Sequence, residues 1–144
     1  MDKTYHSIIP AVFVVFKRGN TFLVGRRKGS WGNGLLCLPG GHVEQGESFR
    51  VAAKREMLEE VGLDIEIDNL VPLHVMHRKN QEGQERIDVY FMIESWSGEP
   101  VNKEPSKCFE LLWIPFDQLP TDVVAILKDA LSLSSRGVFY SEQW

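Results

Sequence analysis

The stretch from Gly41 to Leu63, GHVEQGESFRVAAKREMLEEVGL, is the most informative part of the sequence, and it places Glu56, Glu59 and Glu60 within five residues. Side chains three and four residues apart share one face of a helix, so a helix here brings all three carboxylates into one small volume. Like charges repel there, and folding alone is a poor explanation for such a concentration. The spacing therefore indicates a site for a positive group.

A hard divalent cation suits these carboxylates. Mg²⁺, with Mn²⁺ as the alternative, prefers oxygen ligands and is commonly shared with the phosphates of a substrate. The competing interpretation is a solvated acidic helix face, on which Lys54 and Arg55 neutralise part of the charge. The carboxylates alone leave both interpretations open.

The surrounding residues follow a longer pattern, G-x5-E-x7-R-E-U-x-E-E-x-G-U, in which U is apolar. It starts at Gly41, passes through Glu47 and Arg55, and ends at Leu63. Seven fixed letters make a chance match improbable, on the order of one in ten million for a chain this size. The pattern resembles the Nudix box, and segments 38–41, 97–100, 103–104 and 112–115 resemble outer motifs of the same family.

The resemblance implies a Nudix-type α/β/α sandwich with a mixed β-sheet, formed by residues 1–144 as a single domain. Strands interleaved with two helices independently favour an α/β fold. The implied activity is Mg²⁺-dependent hydrolysis of a phosphoanhydride bond in a nucleoside diphosphate linked to a group X.

The first expected substrate is a nucleoside triphosphate, giving monophosphate and pyrophosphate. ADP-ribose or another dinucleotide-like diphosphate is the second. A Nudix fold that senses a nucleotide without hydrolysing it, and an acidic interaction domain, are alternatives from other functional classes. The intact box carboxylates favour an enzyme over both.

Metal binding is expected from four positions. The resemblance implies carboxylate ligands at Glu56, Glu59 and Glu60 and a backbone carbonyl ligand near Gly40. Gly40 and Gly41 can let the backbone approach a metal closely, and they can also form a tight turn with positive φ; the two interpretations are compatible. Glu59 is either a ligand or the base that activates water, and the sequence does not decide between these roles.

Further site residues are expected outside the metal cluster. Arg55, one turn before Glu59, is a candidate catalytic residue that orients the site, and Glu104 is a candidate loop carboxylate that assists the attacking water. Arg27 and His42 are candidate substrate contacts. For each of these four residues, the alternative interpretation is an ordinary surface or loop side chain without a role in the site.

Composition narrows the partners. The 144 residues carry a net charge of −4, with 43% hydrophobic and 25% charged residues, which is typical of a globular protein. A mildly acidic chain does not attract long nucleic acid, whereas a small nucleotide bridged by metal remains compatible. Neither a signal peptide nor a membrane segment is predicted, so we expect a cytoplasmic protein, compatible with a homodimer.

Cysteine spacing and aromatic residues give weaker indications. Cys37 and Cys108 lack zinc-ligand spacing and are expected to be buried free thiols. Trp31, Phe13 and Phe91 could stack on a nucleobase, but core packing is the better prediction for the two phenylalanines. The sequence therefore does not define the base.

Local patterns predict the elements of the fold. The box helix should begin after Ser48 as N-cap and end at Gly62, with Val51, Leu58 and Val61 facing the core. A second helix, 121–134, should be capped by Thr121 or Asp122. The other predictions are a hairpin from 11–16 and 21–24, a loop 29–34, strands 35–38, 64–76, 86–94 and 109–114, and a polar loop 78–85.

Overall fold

The protein is represented by a computed structural model that describes residues 2–144. Eight strands and two helices follow one another along the chain. Their order is β1 (Ile9–Arg18), β2 (Thr21–Arg27), β3 (Leu36–Cys37), β4 (Gly40–His42), α1 (Phe49–Val61), β5 (Val71–Lys79), β6 (Glu85–Ile93), β7 (Cys108–Pro115), α2 (Ala125–Ser135) and β8 (Tyr140–Gln143).

Strand β1 is the centre of a mixed sheet. It pairs antiparallel with β2 and β4 and parallel with β6. Beyond β6 lie β5 and then β8, while β2 also pairs with β3 and β7. The predicted hairpin and mixed sheet are both confirmed.

The two faces of the sheet carry separate hydrophobic cores. Because successive strand residues point to opposite faces, Val12, Val14 and Phe16 of β1 lie in the core that contains Met57 of α1. Val15 points the other way, into the core that contains Leu127 of α2. One helix covers each face, which is the predicted α/β/α sandwich.

Helix α1 begins and ends where the sequence predicted. The Ser48 side chain accepts a hydrogen bond from the backbone N–H of Val51 at 3.1 Å, which satisfies one free donor of the first turn. Gly62 stops the helix in the left-handed region at φ 71°, where a residue without Cβ is favoured. Both local signals are confirmed.

The prediction for the buried face of α1 was partly wrong. Val61 is buried as expected, but Val51 is 43% exposed and Leu58 is 53% exposed, whereas Ala52 and Ala53 are fully buried. The sequence predicts the core on the helix face opposite the carboxylates. In the structure, Glu56 and Glu60 contact β4, so the buried face of α1 lies next to these carboxylates. The opposite face, with Val51 and Leu58, is exposed to solvent.

The prediction of a strand at 64–76 was wrong in its first part. A short 3-10 turn occupies Ile67–Asn69, and the strand begins only at Val71. That strand continues to Lys79 and its partner starts at Glu85, so the predicted polar loop is shorter than expected. The C-terminal strand β8 was not predicted.

The cap predicted for the second helix was also wrong. Helix α2 starts at Ala125, after Val124, which has no side-chain cap. The Asp122 carboxylate instead accepts a hydrogen bond from Arg26 Nη1 at 2.8 Å, and Thr121 precedes the helix. No helix within residues 2–144 combines the length and apolar character needed to cross a membrane.

Candidate active site

Two glutamates of α1 lie against the short strand β4. Glu60 Oε2 accepts a hydrogen bond from the backbone N–H of Gly40 at 3.0 Å. The carboxylate of Glu56 lies beside Gly41, and its side chain is only 13% exposed. The small buried side chains of Ala52 and Ala53 on the same helix leave space for this approach.

Glycine is required in β4 for space. A Cβ added at Gly40 would lie 2.2 Å from the backbone oxygen of Val12, and one at Gly41 would lie 2.3 Å from Glu56 Oε1. Neither residue has positive φ; both are in extended backbone paired with β1. The turn interpretation of this pair is therefore wrong, and close approach is the reason for the glycines.

The surroundings of Glu56 and Glu60 disfavour the charged forms of both carboxylates. Desolvation raises the pKa of Glu56, and desolvation followed by the charge of Glu56 raises the pKa of Glu60 to about 8. The Gly40 N–H opposes this shift in Glu60. Two such carboxylates are stabilised in their charged form by a nearby cation.

Arg55 connects the loop that precedes α1 to the acidic side chains of that helix. Its Nε donates to Glu47 Oε2 at 2.7 Å and its Nη2 donates to Glu47 Oε1 at 2.9 Å. Nη1 donates to Glu56 Oε1 at 2.9 Å and to Glu59 Oε2 at 3.4 Å, while Nη2 also donates to the carbonyl of His42 at 3.0 Å. This network fixes the Arg55 guanidinium between Glu47 and the acidic side chains of α1.

Glu104 approaches the same carboxylates from a loop. The backbone N–H of Lys103 donates to the Glu60 carbonyl at 3.0 Å, which joins the loop to the end of α1. The Glu104 side chain is 29% exposed and accepts a salt bridge from Lys107 Nζ at 3.3 Å. Its negative charge contributes to the raised pKa values of Glu56 and Glu60, as expected for a group facing them.

Arg27 and Arg26 have different surroundings at the end of β2. Arg27 Nε donates to the carbonyl of Trp31 at 3.0 Å, and its guanidinium lies 4.4 Å from the centre of the exposed Trp31 ring. Arg26 is held by Glu110 and Asp122, at 2.9 and 2.8 Å. Both contact the cleft, but the contacts of Arg26 to two carboxylates identify it as structural.

His42 lies at the junction between the acidic residues and the opposite part of the cleft. The backbone carbonyl of His42 accepts a hydrogen bond from Arg55. The pKa of its imidazole is lowered, mainly by partial desolvation and to a smaller extent by the positive charge of Arg86. His42 is therefore neutral at pH 7, and suited to hydrogen bonding more than to charge pairing.

The site residues named from the sequence all line one cleft with a volume of about 660 Å³. This is within the range of small-molecule sites, roughly 300–1,000 Å³. The structure brings together Gly40, His42, Arg55, Glu56, Glu59, Glu60, Glu104 and Arg27.

The donor set fits a hard cation. Four carboxylates and the nearby backbone of β4 offer oxygen atoms of the type that Mg²⁺ prefers as ligands. A bound cation would also stabilise the charged forms of the desolvated Glu56 and Glu60. Among residues 2–144, no group of three or more acidic, cysteine or histidine side chains is arranged so that it could hold a metal ion. Arg55 donates hydrogen bonds to Glu56 and Glu59, and the backbone N–H of Gly40 donates one to Glu60.

Sequence reasoning missed several cleft residues. Lys107 follows Glu104 by three residues, a spacing that could have identified the pair. Arg78 and Arg86 come from the two strands of one hairpin and meet only through strand register, so no local signal identifies them. Cys37 is buried as expected, but Cys108 is only partly buried, because it lies near the cleft.

The predicted roles of the aromatic residues can be compared with their positions. Phe91 is buried in the α1 core, as expected. Phe13 is partly buried and stacks on Tyr90, with ring centres 5.1 Å apart, and it lines the cleft. Trp31 is 49% exposed at the cleft mouth.

Comparisons with known proteins agree with this geometry. The model of the NUDIX domain matches residues 8–133. Curated relatives include an ADP-ribose pyrophosphatase of Methanocaldococcus jannaschii, 31% identical over 83% of this chain and 72% of that protein. An oxidized purine nucleoside triphosphate hydrolase of Danio rerio is 33% identical over 69% of this chain and 65% of that protein.

The NAD-capped RNA hydrolase NudC of Salmonella typhi is 29% identical over 83% of this chain, but the chain spans only 44% of its length. Among solved structures, a MutT NUDIX hydrolase from Burkholderia pseudomallei superposes with a TM-score of 0.81 at 26% identity, covering 88% of this chain and 98% of that one. The family model, these relatives and the shared fold lead to one conclusion: this chain belongs to the NUDIX hydrolase family.

Proposed function

We propose that this protein hydrolyses a phosphoanhydride bond in a nucleoside diphosphate linked to a group X, with Mg²⁺ as cofactor and Mn²⁺ as a substitute. The observation that carries the proposal is the convergence of Glu56, Glu59, Glu60 and Glu104 on one cleft that also contains Arg27. Carboxylates for a metal and cations for phosphate are the two groups that this chemistry requires.

The metal would be held by Glu56, Glu59 and Glu60, with the backbone carbonyl near Gly40 as a further ligand. A bound divalent ion would neutralise phosphate oxygens and lower the pKa of a bound water. The desolvated positions of Glu56 and Glu60 support a ligand role, because a cation offsets the cost of their charge.

Two carboxylates could accept a proton from the attacking water. Glu59 is 53% exposed and so remains accessible to solvent, although Arg55 restrains it at 3.4 Å. Glu104 is held on a loop that is hydrogen-bonded to the end of α1. Direct attack by water on phosphorus needs no covalent enzyme intermediate, and Arg55 contributes by fixing the direction of Glu56 and Glu59.

Substrate phosphates would be bound by Arg27, whose planar guanidinium can contact two oxygens at once. Lys107 is a second cation on the same side, next to Glu104. His42, neutral at pH 7, could donate or accept a hydrogen bond to the substrate. Trp31 offers an exposed aromatic face at the cleft mouth on which a base could stack.

A nucleoside triphosphate is our first substrate class, and the Danio rerio relative named for oxidized purine nucleoside triphosphates supports it. The second class is ADP-ribose. It is favoured by the Methanocaldococcus jannaschii ADP-ribose pyrophosphatase, which matches this chain over 72% of its own length. The NudC relatives extend well beyond the matched region, so RNA-linked substrates have weaker support.

The test is a substrate panel. Purified protein would be incubated with common and oxidised nucleoside triphosphates, ADP-ribose, NAD and NAD-capped RNA, with and without Mg²⁺ or Mn²⁺, and the products separated by chromatography. We expect metal-dependent release of a nucleoside monophosphate from at least one small substrate, and its loss in Glu56→Gln.

Hydrolysis that persists after thorough chelation would contradict the metal requirement. Binding of a nucleotide without turnover would instead support the sensing alternative. Cytoplasmic location, a homodimer and a single domain remain predictions, and sedimentation of the purified protein would test the oligomeric state.

A further inference from the structure

The end of the cleft away from the acidic helix is lined by two arginines. Arg78 of β5 and Arg86 of β6 are paired in strand register and point to the α2 face of the sheet together with Asp88. Arg78 is 8% exposed and the side chain of Arg86 is 13% exposed, so both are largely desolvated. Asp88 is completely buried.

The Asp88 carboxylate lies next to both arginines. Arg78 Nε donates to Asp88 Oδ2 at 2.5 Å, whereas Arg86 Nε is 3.6 Å from Asp88 Oδ1, beyond hydrogen-bonding distance. Within residues 2–144, the buried Arg86 Nε and Asp88 Oδ1 have no hydrogen-bond partner. The Arg78–Asp88–Arg86 cluster therefore has a net charge of +1 and unused hydrogen-bonding capacity.

Neighbouring acidic residues do not cancel this charge by direct contact. Glu85 pairs with His6, and Glu82 lies at the exposed hairpin turn that borders the cleft. An arginine cannot lose its proton to escape a desolvated position, so excess positive charge there is stabilised only by an anion. A planar guanidinium is also suited to binding phosphate or carboxylate through two hydrogen bonds.

Strand register gives the distance between the two ends of the cleft. Ala11 of β1 pairs with His42 of β4 on one side and with Asp88 of β6 on the other. Two strand spacings separate β4 from β6, which is about 10 Å. The candidate metal ligands adjoin β4, whereas Arg86 pairs with Ile9, two residues along β1 from Ala11. An anion bound at Arg86 would therefore lie at least about 10 Å from the reacting phosphates.

The floor between the two ends suits such a molecule. Ala11 has a minimal side chain, and Phe13, which stacks on Tyr90, lines the cleft beside it. We propose that Arg86, which lies beside Asp88 and is paired in register with Arg78, binds a second anionic group of the substrate, a phosphate or carboxylate remote from the scissile bond. This inference rests on the proposed function and narrows the substrate class to diphosphates that carry an additional anion.

Matched substrate pairs test the proposal. ADP-ribose would be compared with its 2′-phosphate, dephospho-coenzyme A with coenzyme A, and UDP-glucose with UDP-glucuronate, where the last pair tests a carboxylate. For at least one pair we expect kcat/KM to be at least about tenfold higher for the additional anion, consistent with a charge-assisted contact. Arg86→Gln should abolish this preference, measured as the ratio of the two kcat/KM values within each pair.

Controls separate this effect from general charge loss and from misfolding. Lys79→Gln removes the same charge from the same hairpin, but Lys79 is outside the cleft and lies over Trp144, so it should keep the preference. Arg86→Lys keeps the charge without the planar fork and should retain part of it. Thermal unfolding of each variant would verify that it is folded.

The inference and the proposed function can fail separately. If the wild type hydrolyses diphosphates but shows no preference in any pair, or if Arg86→Gln keeps the preference, the inference is overturned and the proposed function stands. If nothing is hydrolysed, calorimetry without metal would compare adenosine 2′,5′-bisphosphate with adenosine 5′-monophosphate. Tighter binding of the bisphosphate that depends on Arg86 would support the inference, and equal affinity would overturn it.

Discussion

Both carboxylate oxygens of Glu47 accept hydrogen bonds from Arg55, at 2.7 and 2.9 Å. This bidentate contact connects the loop that precedes α1 to the middle of the helix. Because Arg55 also contacts Glu56 and Glu59, the position of the loop and the direction of the acidic side chains depend on the same guanidinium.

The first prediction concerns the pH dependence of this contact. The hydrogen bonds from Arg55 lower the pKa of Glu47 from 4.5 to about 2. A lowered folded-state pKa means that the contact stabilises the fold fully above pH 4.5 and is lost as the pH falls towards 2. The difference in urea midpoint between wild type and Glu47→Gln should therefore be constant at neutral pH and shrink between pH 4.5 and 2. A difference that stays unchanged through this range would contradict the assignment.

The second prediction concerns the metal ligands. Glu56→Gln and Glu60→Gln should each lower metal-dependent turnover by at least about tenfold, because a neutral amide cannot replace carboxylate charge at the metal. Since desolvation and Glu56 raise the pKa of Glu60 to about 8, the neutral side chain should fit there without loss of thermal stability. Isothermal titration with Mn²⁺ would measure the metal directly. Unaltered Mn²⁺ affinity in both variants would remove these residues from the metal site.

The third prediction separates the two glycines of β4. Gly40→Ala places a Cβ against the backbone of Val12, which cannot move away, so it should destabilise the fold by about 1–3 kcal/mol. Gly41→Ala places a Cβ against the carboxylate of Glu56, which can rotate. It should weaken metal affinity more than it lowers stability. Equal effects of the two substitutions on Tm and on metal affinity would contradict this distinction.

Local signals were sufficient to predict the parts of the fold that depend on neighbouring residues. Ser48 and Gly62 define the ends of α1 through bonds that span three or four residues, so the sequence locates them directly. The buried face of the helix depends on which strand it meets. The sequence therefore predicts Val51 and Leu58 in the core, although they face solvent.

The same distinction applies to the candidate site. Five box residues close together along the chain line the cleft: Gly41, Arg55, Glu56, Glu59 and Glu60. Arg86 reaches it only because β6 pairs in parallel with β1, a long-range relationship without a sequence signature. The short strand β8 likewise depends on pairing with β5.

The fourth prediction concerns Arg27. If it contacts substrate phosphate, Arg27→Ala should raise KM or lower kcat/KM by at least about tenfold, with a change in stability within about 0.5 kcal/mol. Arg27→Lys should restore activity only partly, since an ammonium lacks the planar fork. Steady-state kinetics and thermal unfolding measure both effects. Wild-type kinetics in Arg27→Ala would leave Arg27 as a surface residue stacked on Trp31.

The last prediction concerns Glu104, which lies outside the box. Its loop is fixed to α1 by the hydrogen bond between Lys103 N–H and the Glu60 carbonyl, and its carboxylate is close enough to raise the pKa values of Glu56 and Glu60. If it assists the attacking water, Glu104→Gln should lower kcat by about 10²–10⁴-fold and change nucleotide affinity little. Glu99→Gln makes the same change at an exposed carboxylate that pairs with Arg18 outside the cleft, and serves as the control. Single-turnover kinetics at saturating enzyme would measure the chemical step, and an unchanged rate for Glu104→Gln would exclude it from the reaction.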